Sequence, residues 1–324
     1  MLSEFDLIHR YFTRAPATDA RIGLGIGDDC ALLRPVPGTQ LAVSTDMLVE
    51  GRHFLAGSDA RCLGHKALAV NLSDLAAMGA TPIAFTLALS LPTADAPWLE
   101  AFSGGLLALA DQYRCNLIGG DTTRGPLNIC ITVFGELPAG VTLRRNGARS
   151  GDDVWVSGTL GDARVALAML CNESPEASLT ADETATAIDR LQRPEPRIAL
   201  GIELRTIATA AIDLSDGFTG DLGHILACSG CGATIDVDAL PAGPALRRHA
   251  RATRQAWALA GGDDYELCFT ASAGARAAVI AAGQASATAV TRVGTIDIET
   301  GLRLRTADGA AIIAVPASFD HFSV

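Results

Sequence analysis

Residues 62–91 read CLGHKALAVNLSDLAAMGATPIAFTLALSL, and this stretch decides the fold class. Leu63, Ala67, Leu68, Leu72, Leu75 and Met78 recur at helical spacing, and Gly79 supplies a stop. Ile83 to Leu91 then runs apolar, as a buried strand does. A helix followed at once by a buried strand is the pattern of mixed α/β structure. One residue breaks the helix's apolar logic. Asp74 lies one turn after Asn71 on a shared face, with Leu72 and Leu75 beside it. Aspartate is a poor former of helix interiors, and burying one without a partner is expensive. An ion pair with Lys66, two turns away, is one account of it; metal ligation is the other.

Outward from this stretch the same alternation continues. Ser3-Glu4-Phe5-Asp6 opens a short helix with Phe5, Ile8 and Phe12 on one face. Leu24 to Leu33 and Leu41 to Thr45 look like strands, and a helix runs from Trp98 to Tyr113 after Pro97. Strands at Leu117-Ile118 and Leu127 to Leu137 flank an expected loop, Gly119 to Gly125. The polar, turn-rich run Asn146 to Asp153 marks a boundary, giving an N-terminal domain over 1–148 and a C-terminal domain over 149–324. In the second half, helical patterns fall at 162–171, 181–192 and 196–209. Strand-like pieces fall at 210–214, 233–238, 265–270, 289–298 and 302–315, the last with a hairpin turn at Asp308-Gly309. The expected fold is α/β (α+β) in two mixed domains.

Six short acidic motifs, each tied to glycine or an apolar run, are set into this frame. They are Gly25-Ile26-Gly27-Asp28-Asp29, Ser44-Thr45-Asp46, Asn71-Leu72-Ser73-Asp74, Gly119-Gly120-Asp121-Thr122, Asp213-Leu214-Ser215-Asp216-Gly217 and Gly261-Gly262-Asp263-Asp264. Carboxylates gathered in one place repel unless hard cations hold them, so the pattern points to a multi-metal site for a phosphate-bearing ligand. Ser44-Thr45-Asp46 offers hydroxyl, carbonyl and carboxylate oxygens, the donors Mg²⁺ prefers, or else a helix cap. Gly119 to Gly125 adds flexible backbone that lets amides approach phosphate. Asp216 or Ser215 can cap the helix that follows, a role compatible with ligation. Gly23-x-Gly25-x-Gly27 is a poor dinucleotide fingerprint, because Asp28 and Asp29 would repel a pyrophosphate. His53 has no diagnostic context of its own.

Composition narrows the classes. At 324 residues with 49% apolar and 19% charged, the chain reads as a globular protein of two domains. A formal net charge of −11 argues against nucleic acid or an anionic membrane as partner, since both call for basic surface. Lys66 is the only lysine among 25 cationic side chains, so there is no P-loop, and phosphates must be held by metals, arginines and amides. The eight cysteines are dispersed, as buried thiols of a reducing cytoplasm would be; Cys228-Ser229-Gly230-Cys231 lacks the second pair a zinc site needs. No run approaches 18 apolar residues, and no basic start precedes an apolar stretch, so a soluble cytoplasmic protein is expected.

Together the acidic stretches, with Gly51-Arg52-His53-Phe54, Asp264-Tyr265-Glu266-Leu267 and the terminal Asp320-His321-Phe322, resemble the thiamine-monophosphate kinase family over nearly the whole chain. The wider superfamily includes aminoimidazole ribonucleotide synthetase and selenophosphate synthetase. The resemblance implies ATP-dependent phosphorylation of thiamine monophosphate to thiamine diphosphate, with no activated side-chain nucleophile. It also implies a homodimer whose N-terminal domains pair strands into a shared β-barrel. Carried over by motif, Asp29, Ser44, Thr45, Asp46, Asp74, Asp121, Asp213 and Asp216 would be ligands of several Mg²⁺ ions. Gly120, Asp121, Arg145 and Ser215 would contact ATP, and His53, Asp263 and Phe319 would lie on thiamine monophosphate. Asp263 stands where the family usually carries Glu, and Phe319 where it usually carries Tyr. A related synthetase, a metal-dependent phosphohydrolase and a nucleotide-binding regulator are the alternatives.

Overall fold

A computed structural model describes residues 4–14, 19–173, 177–313 and 318–319, with side chains described from residue 6 onward. The chain forms two compact units, one of Met1–Leu75 with Ala80–Gly140, the other of Ala76–Gly79 with Val141–Val324. The main segment of the second unit begins at Val141. Residues 141–148 belong with the second unit because their polar backbone is satisfied there: Ala211 N–H donates to the Arg144 carbonyl, and Ala148 N–H to Ser229 Oγ.

The first unit comprises α1 (Glu4–Tyr11), β1 (Ile22–Leu24), β2 (Leu32–Leu33), β3 (Thr39–Val49), α2 (Ala60–Ala77), β4 (Thr81–Leu91), α3 (Ala96–Gln112), β5 (Asn116–Arg124) and β6 (Asn128–Pro138). An open four-stranded sheet runs β3-β6-β4-β5, parallel only between β4 and β5, beside a two-stranded β1-β2 ribbon. Period-2 alternation buries Phe85, Leu87 and Leu89 of β4 and Ile129, Ile131 and Val133 of β6 on one face. Leu75 of α2 comes down onto Gly135 of β6, where an added Cβ would meet its methyls at 2.9 Å. Helices α2 and α3 cross closely because glycine stands at the contact: a Cβ on Gly64 would lie 2.0 Å from the Phe102 carbonyl, and one on Gly105 1.9 Å from that of Arg61. The opposite sheet face stays open, with Leu41, Val43 and Met47 of β3 exposed.

The second unit comprises β7 (Asp152–Ser157), α4 (Asp162–Leu170), α5 (Ala181–Gln192), α6 (Ile198–Leu204), β8 (Ala210–Asp213), α7 (Phe218–Ser229), β9 (Gly232–Asp236), α8 (Arg251–Ala260), β10 (Leu267–Ser272), α9 (Arg276–Ala285), β11 (Val290–Asp297), β12 (Gly301–Arg305) and β13 (Ala311–Ile312). Its seven-stranded sheet runs β13-β12-β9-β11-β7-β10-β8, antiparallel except between β9 and β12. Val154, Val156, Ile212, Leu222, Ile225, Ile235, Leu246 and Cys268 share its core. The end of β8, the start of β10 and the end of β7 lie side by side, since β10 pairs with both neighbours.

Mixed α/β structure in both halves agrees with the sequence, but particular segments differ. Leu24 to Leu33 is two short strands around an acidic turn. Ser44-Thr45-Asp46 lies within β3 and not near its end, and Gly119 to Arg124 is strand rather than loop. The helix expected over 196–209 shortens to α6, while α8 and α9 had no counterpart in the reading. All eight cysteines are free, but only Cys115, Cys231 and Cys268 are buried; Cys30, Cys171 and Cys228 are exposed. Among the described residues no helix is long and apolar enough to cross a membrane. Among the described residues the sheet of the first unit is open and forms no closed barrel.

Candidate active site

In the first unit the interior polar face of α2 meets β3. Asn71, fully buried, donates from Nδ2 to the Ala67 carbonyl at 2.9 Å, which turns its Oδ1 to accept the Asp46 amide at 3.0 Å. Ser44 Oγ donates to Asp74 Oδ2 at 2.5 Å. Helical spacing of three on α2 thus matches strand spacing of two on β3, and two acids, Asp46 and Asp74, come to one helix–strand seam. The alternation that puts Ser44 and Asp46 there puts Thr45 on the other face, where its hydroxyl pairs with Thr132 Oγ1 at 2.8 Å.

Asp121 is elsewhere on the sheet. The register runs Asp46–Ile131–Leu87–Gly120, with Asp121 one residue on, opposite Ala88. Strands β3 and β5 are the two edges, so three strand spacings, roughly 14 Å of backbone, separate Asp46 from Asp121. Gly120 is required where it stands. Its φ is +147°, and a Cβ would lie 1.9 Å from the Leu87 carbonyl. Asp28 and Asp29 occupy the exposed turn between β1 and β2, where Asp28 Oδ1 accepts the Asp29 amide at 2.8 Å. His53 accepts the Val49 amide on Nδ1 at 3.0 Å, which leaves the ring proton of the neutral form on Nε2.

In the second unit Asp213, only 6% exposed, ends β8. Beyond it, the Ser215 carbonyl accepts the Asp263 amide at 2.8 Å, and the Asp216 carbonyl accepts the Phe319 amide at 3.2 Å. Ser215, Asp216, Asp263 and Phe319, far apart in sequence, are therefore joined by main chain. Arg145 sits in the 141–148 segment, its carbonyl accepting Ser229 Oγ at 3.0 Å. The residues Asp320 to Phe322 lie outside the described residues.

The helix cap expected from Ser215 or Asp216 is not formed: Gly217 is the N-cap of α7 and no side chain caps it. Asp221, one turn inside α7, does the reverse. Its Oδ2 accepts the amides of Ser215 and Asp216 at 3.0 and 3.2 Å. Burial, and then the charge of Asp216, push its carboxyl up to about 7. Sequence reasoning missed Asp221, although an acid in the first turn after a glycine was a visible signal. It also missed Arg190 and Arg197, which clasp the fully buried Glu266 at 2.8 and 2.6 Å. Burial alone would raise Glu266; the two guanidiniums outweigh it and hold the carboxyl below its ordinary value. Neighbouring Asp264 is buried too, and there desolvation prevails and raises it well above the carboxylate range.

Among the described residues no three His, Cys, Asp or Glu side chains stand together as a metal-holding group. The structure brings the acids into pairs with hydroxyl and amide groups instead. The donor set remains entirely oxygen, carboxylates with Ser44 and Thr45 hydroxyls, which fits Mg²⁺ and not a soft metal.

Comparison with known proteins places this arrangement. Residues 27–137 match the family of AIR synthase related protein, N-terminal domain, and residues 149–296 match its C-terminal domain. Thiamine-monophosphate kinase of Salmonella typhimurium is 51% identical over 326 residues, spanning 99% of this chain and 98% of the relative. The crystal structure of thiamine-monophosphate kinase from Stenotrophomonas maltophilia superimposes with a TM-score of 0.84 at 49% identity, covering 91% of this chain and 93% of that one. AaThiL complexed with AMPPCP and TMP superimposes with a TM-score of 0.76 at 30% identity, covering 89% of each chain. With 51% identity over nearly the full length of both chains, the chain belongs to the thiamine-monophosphate kinase family, within the AIR synthase related proteins.

Proposed function

We propose that the enzyme transfers the terminal phosphoryl group of ATP to the phosphate of thiamine monophosphate, giving ADP and thiamine diphosphate. The observation that carries the reading is the tie between Asp263, Phe319 and the Ser215-Asp216 segment. Two acceptor-side residues are held beside two of the candidate metal and nucleotide residues. A relative solved with AMPPCP and TMP supports the same pair of ligands.

The acceptor oxygen is already ionised at neutral pH, so no general base is called for. The barrier is the approach of two polyanions, and the protein's work is positioning and charge neutralisation. In this proposal Asp29, Ser44, Thr45, Asp46, Asp74, Asp121, Asp213 and Asp216 hold several Mg²⁺ ions, which when bound supply positive charge to the phosphates. Gly120 and Ser215 offer backbone and hydroxyl donors to ATP, and Arg145 a guanidinium. His53 presents Nε2–H to the acceptor phosphate, and Phe319 stacks on an aromatic ring of thiamine. In the proposal the N-terminal domain binds metal and nucleotide, and the C-terminal domain supplies Asp213, Ser215, Asp216, Asp263 and Phe319.

A homodimer belongs to the same proposal. Val43 is 57% and Met47 54% exposed on the open face of the sheet, an apolar surface suited to a second copy. Asp46 and Asp121 sit on opposite edges, so edge-to-edge pairing would bring the β5 edge of one copy beside the β3 edge of the other. The test is an assay with ATP, Mg²⁺ and thiamine monophosphate, expected to yield ADP and thiamine diphosphate in equal amounts. ADP released equally without acceptor would favour a phosphohydrolase, and nucleotide binding without turnover a regulator.

A further inference from the structure

The segment Gly262 to Glu266 is strained and clamped. Asp263 and Tyr265 have φ of 60° and 50°, left-handed backbone in residues that carry a Cβ, on either side of buried Asp264. Such conformations persist only where the surroundings over-determine them, and they cluster at ligand sites. Main-chain bonds fix the two ends, Asp263 N–H to the Ser215 carbonyl and Tyr265 N–H to the Leu214 carbonyl. The middle is fixed by one side chain from another element. Arg190 of α5 donates from Nη2 to the Asp264 carbonyl at 2.9 Å and to Glu266 Oε1 at 2.8 Å. Glu266 is held in turn by Arg197 and by Ser157 Oγ at 2.6 Å, while Asp264 Oδ1 accepts the Gly161 amide at 2.8 Å.

We propose that Arg190 is a positioning residue for the acceptor: by bridging the Asp264 carbonyl and Glu266 it locks the left-handed turn that aims Asp263 at thiamine monophosphate. This rests on the functional reading above. Arg190 is not catalytic, since it reaches the acceptor only through Asp263. Both bonds leave the same nitrogen, so the two N–H groups of Nη2 tie the Asp264 carbonyl to the Glu266 carboxylate.

The experiment uses the full chain, with KM measured for both substrates. Arg190→Met is expected to raise KM for thiamine monophosphate by about 10-fold or more while KM for ATP shifts less than about 2-fold, since misplacing one group by an ångström is costly only for what it touches. Arg190→Lys, which keeps the charge, is expected to recover part of the loss, and it is read the same way if the Met variant does not fold. In an Asp263→Ala background, Arg190→Met should add less than about 2-fold, because residues acting through one another are not additive. Equal shifts for both substrates, or a full additional loss in the Asp263→Ala background, would overturn the assignment. A wild-type enzyme that neither binds nor turns over thiamine monophosphate would instead sink the functional reading itself.

Discussion

Asp74 draws its meaning from its neighbours. Asp74 of α2 accepts the Ser44 hydroxyl across to β3, and under the functional proposal its carboxylate is a magnesium ligand. Asp74→Asn keeps the shape and can still accept from Ser44, so the fold should survive. Loss of a metal ligand at the transition state is worth several kcal/mol, so turnover should drop by about two orders of magnitude or more. Steady-state kinetics beside a thermal melt checks this, and near-normal turnover would remove Asp74 from the metal set. Asp221 gives a pH prediction. Its folded carboxyl sits at about 7 against an ordinary 3.8, so the folded state binds the proton more tightly. The stability it contributes is whole below about pH 4 and is lost as pH rises towards 7, levelling off beyond. In magnesium-free buffer the melting temperature of the wild type should fall between pH 5 and pH 8 relative to Asp221→Asn, which has no proton to lose. Parallel curves would show that Asp221 does not carry this load.

At the scale of elements, β5 depends on one glycine. Gly120→Ala places a Cβ against the Leu87 carbonyl at a backbone angle closed to L-residues. It should destabilise the first unit by about 2 kcal/mol or more, read as a lower urea midpoint. An unchanged midpoint would mean the strand does not approach β4 as described. The same glycines explain what the sequence concealed. Gly119-Gly120 reads as a loop by local preference, and only pairing with β4 makes it strand, a tertiary fact. Ser44-Thr45-Asp46 looked like a strand end because polar residues interrupt the run, yet each sits at its proper alternate position in an edge strand. Helix α8 (RATRQAWALA) is amphipathic but short, with only Trp257 and Leu259 as large apolar side chains, and α9 is half alanine, so neither stands out as an apolar run. By contrast, α2 and β4 were legible because both are long, mostly apolar runs, α2 buried on nearly every side. Of the site, the acids were legible as motifs; the groups that orient them, Asp221 and Arg190, were not, because their role lies in contacts across the fold.

For the whole molecule, the open face of the first unit's sheet carries the argument. Leu41, Val43 and Met47 expose apolar surface along an edge strand, which isolated proteins avoid. Val43→Glu with Met47→Glu should convert a dimeric wild type to monomers in sedimentation velocity and lower activity with it. A wild type already monomeric at micromolar concentration would refute the dimer. The central claim is that dispersed acids hold divalent cations on two mutually repelling phosphates. Its most direct test is an experimental structure with Mg²⁺, thiamine monophosphate and a non-hydrolysable ATP analogue. The account predicts carboxylate oxygens of Asp46, Asp74 and Asp121 at about 2.1 Å from magnesium ions that also touch phosphate; phosphates held by arginines and amides alone, with those aspartates unligated, would contradict it.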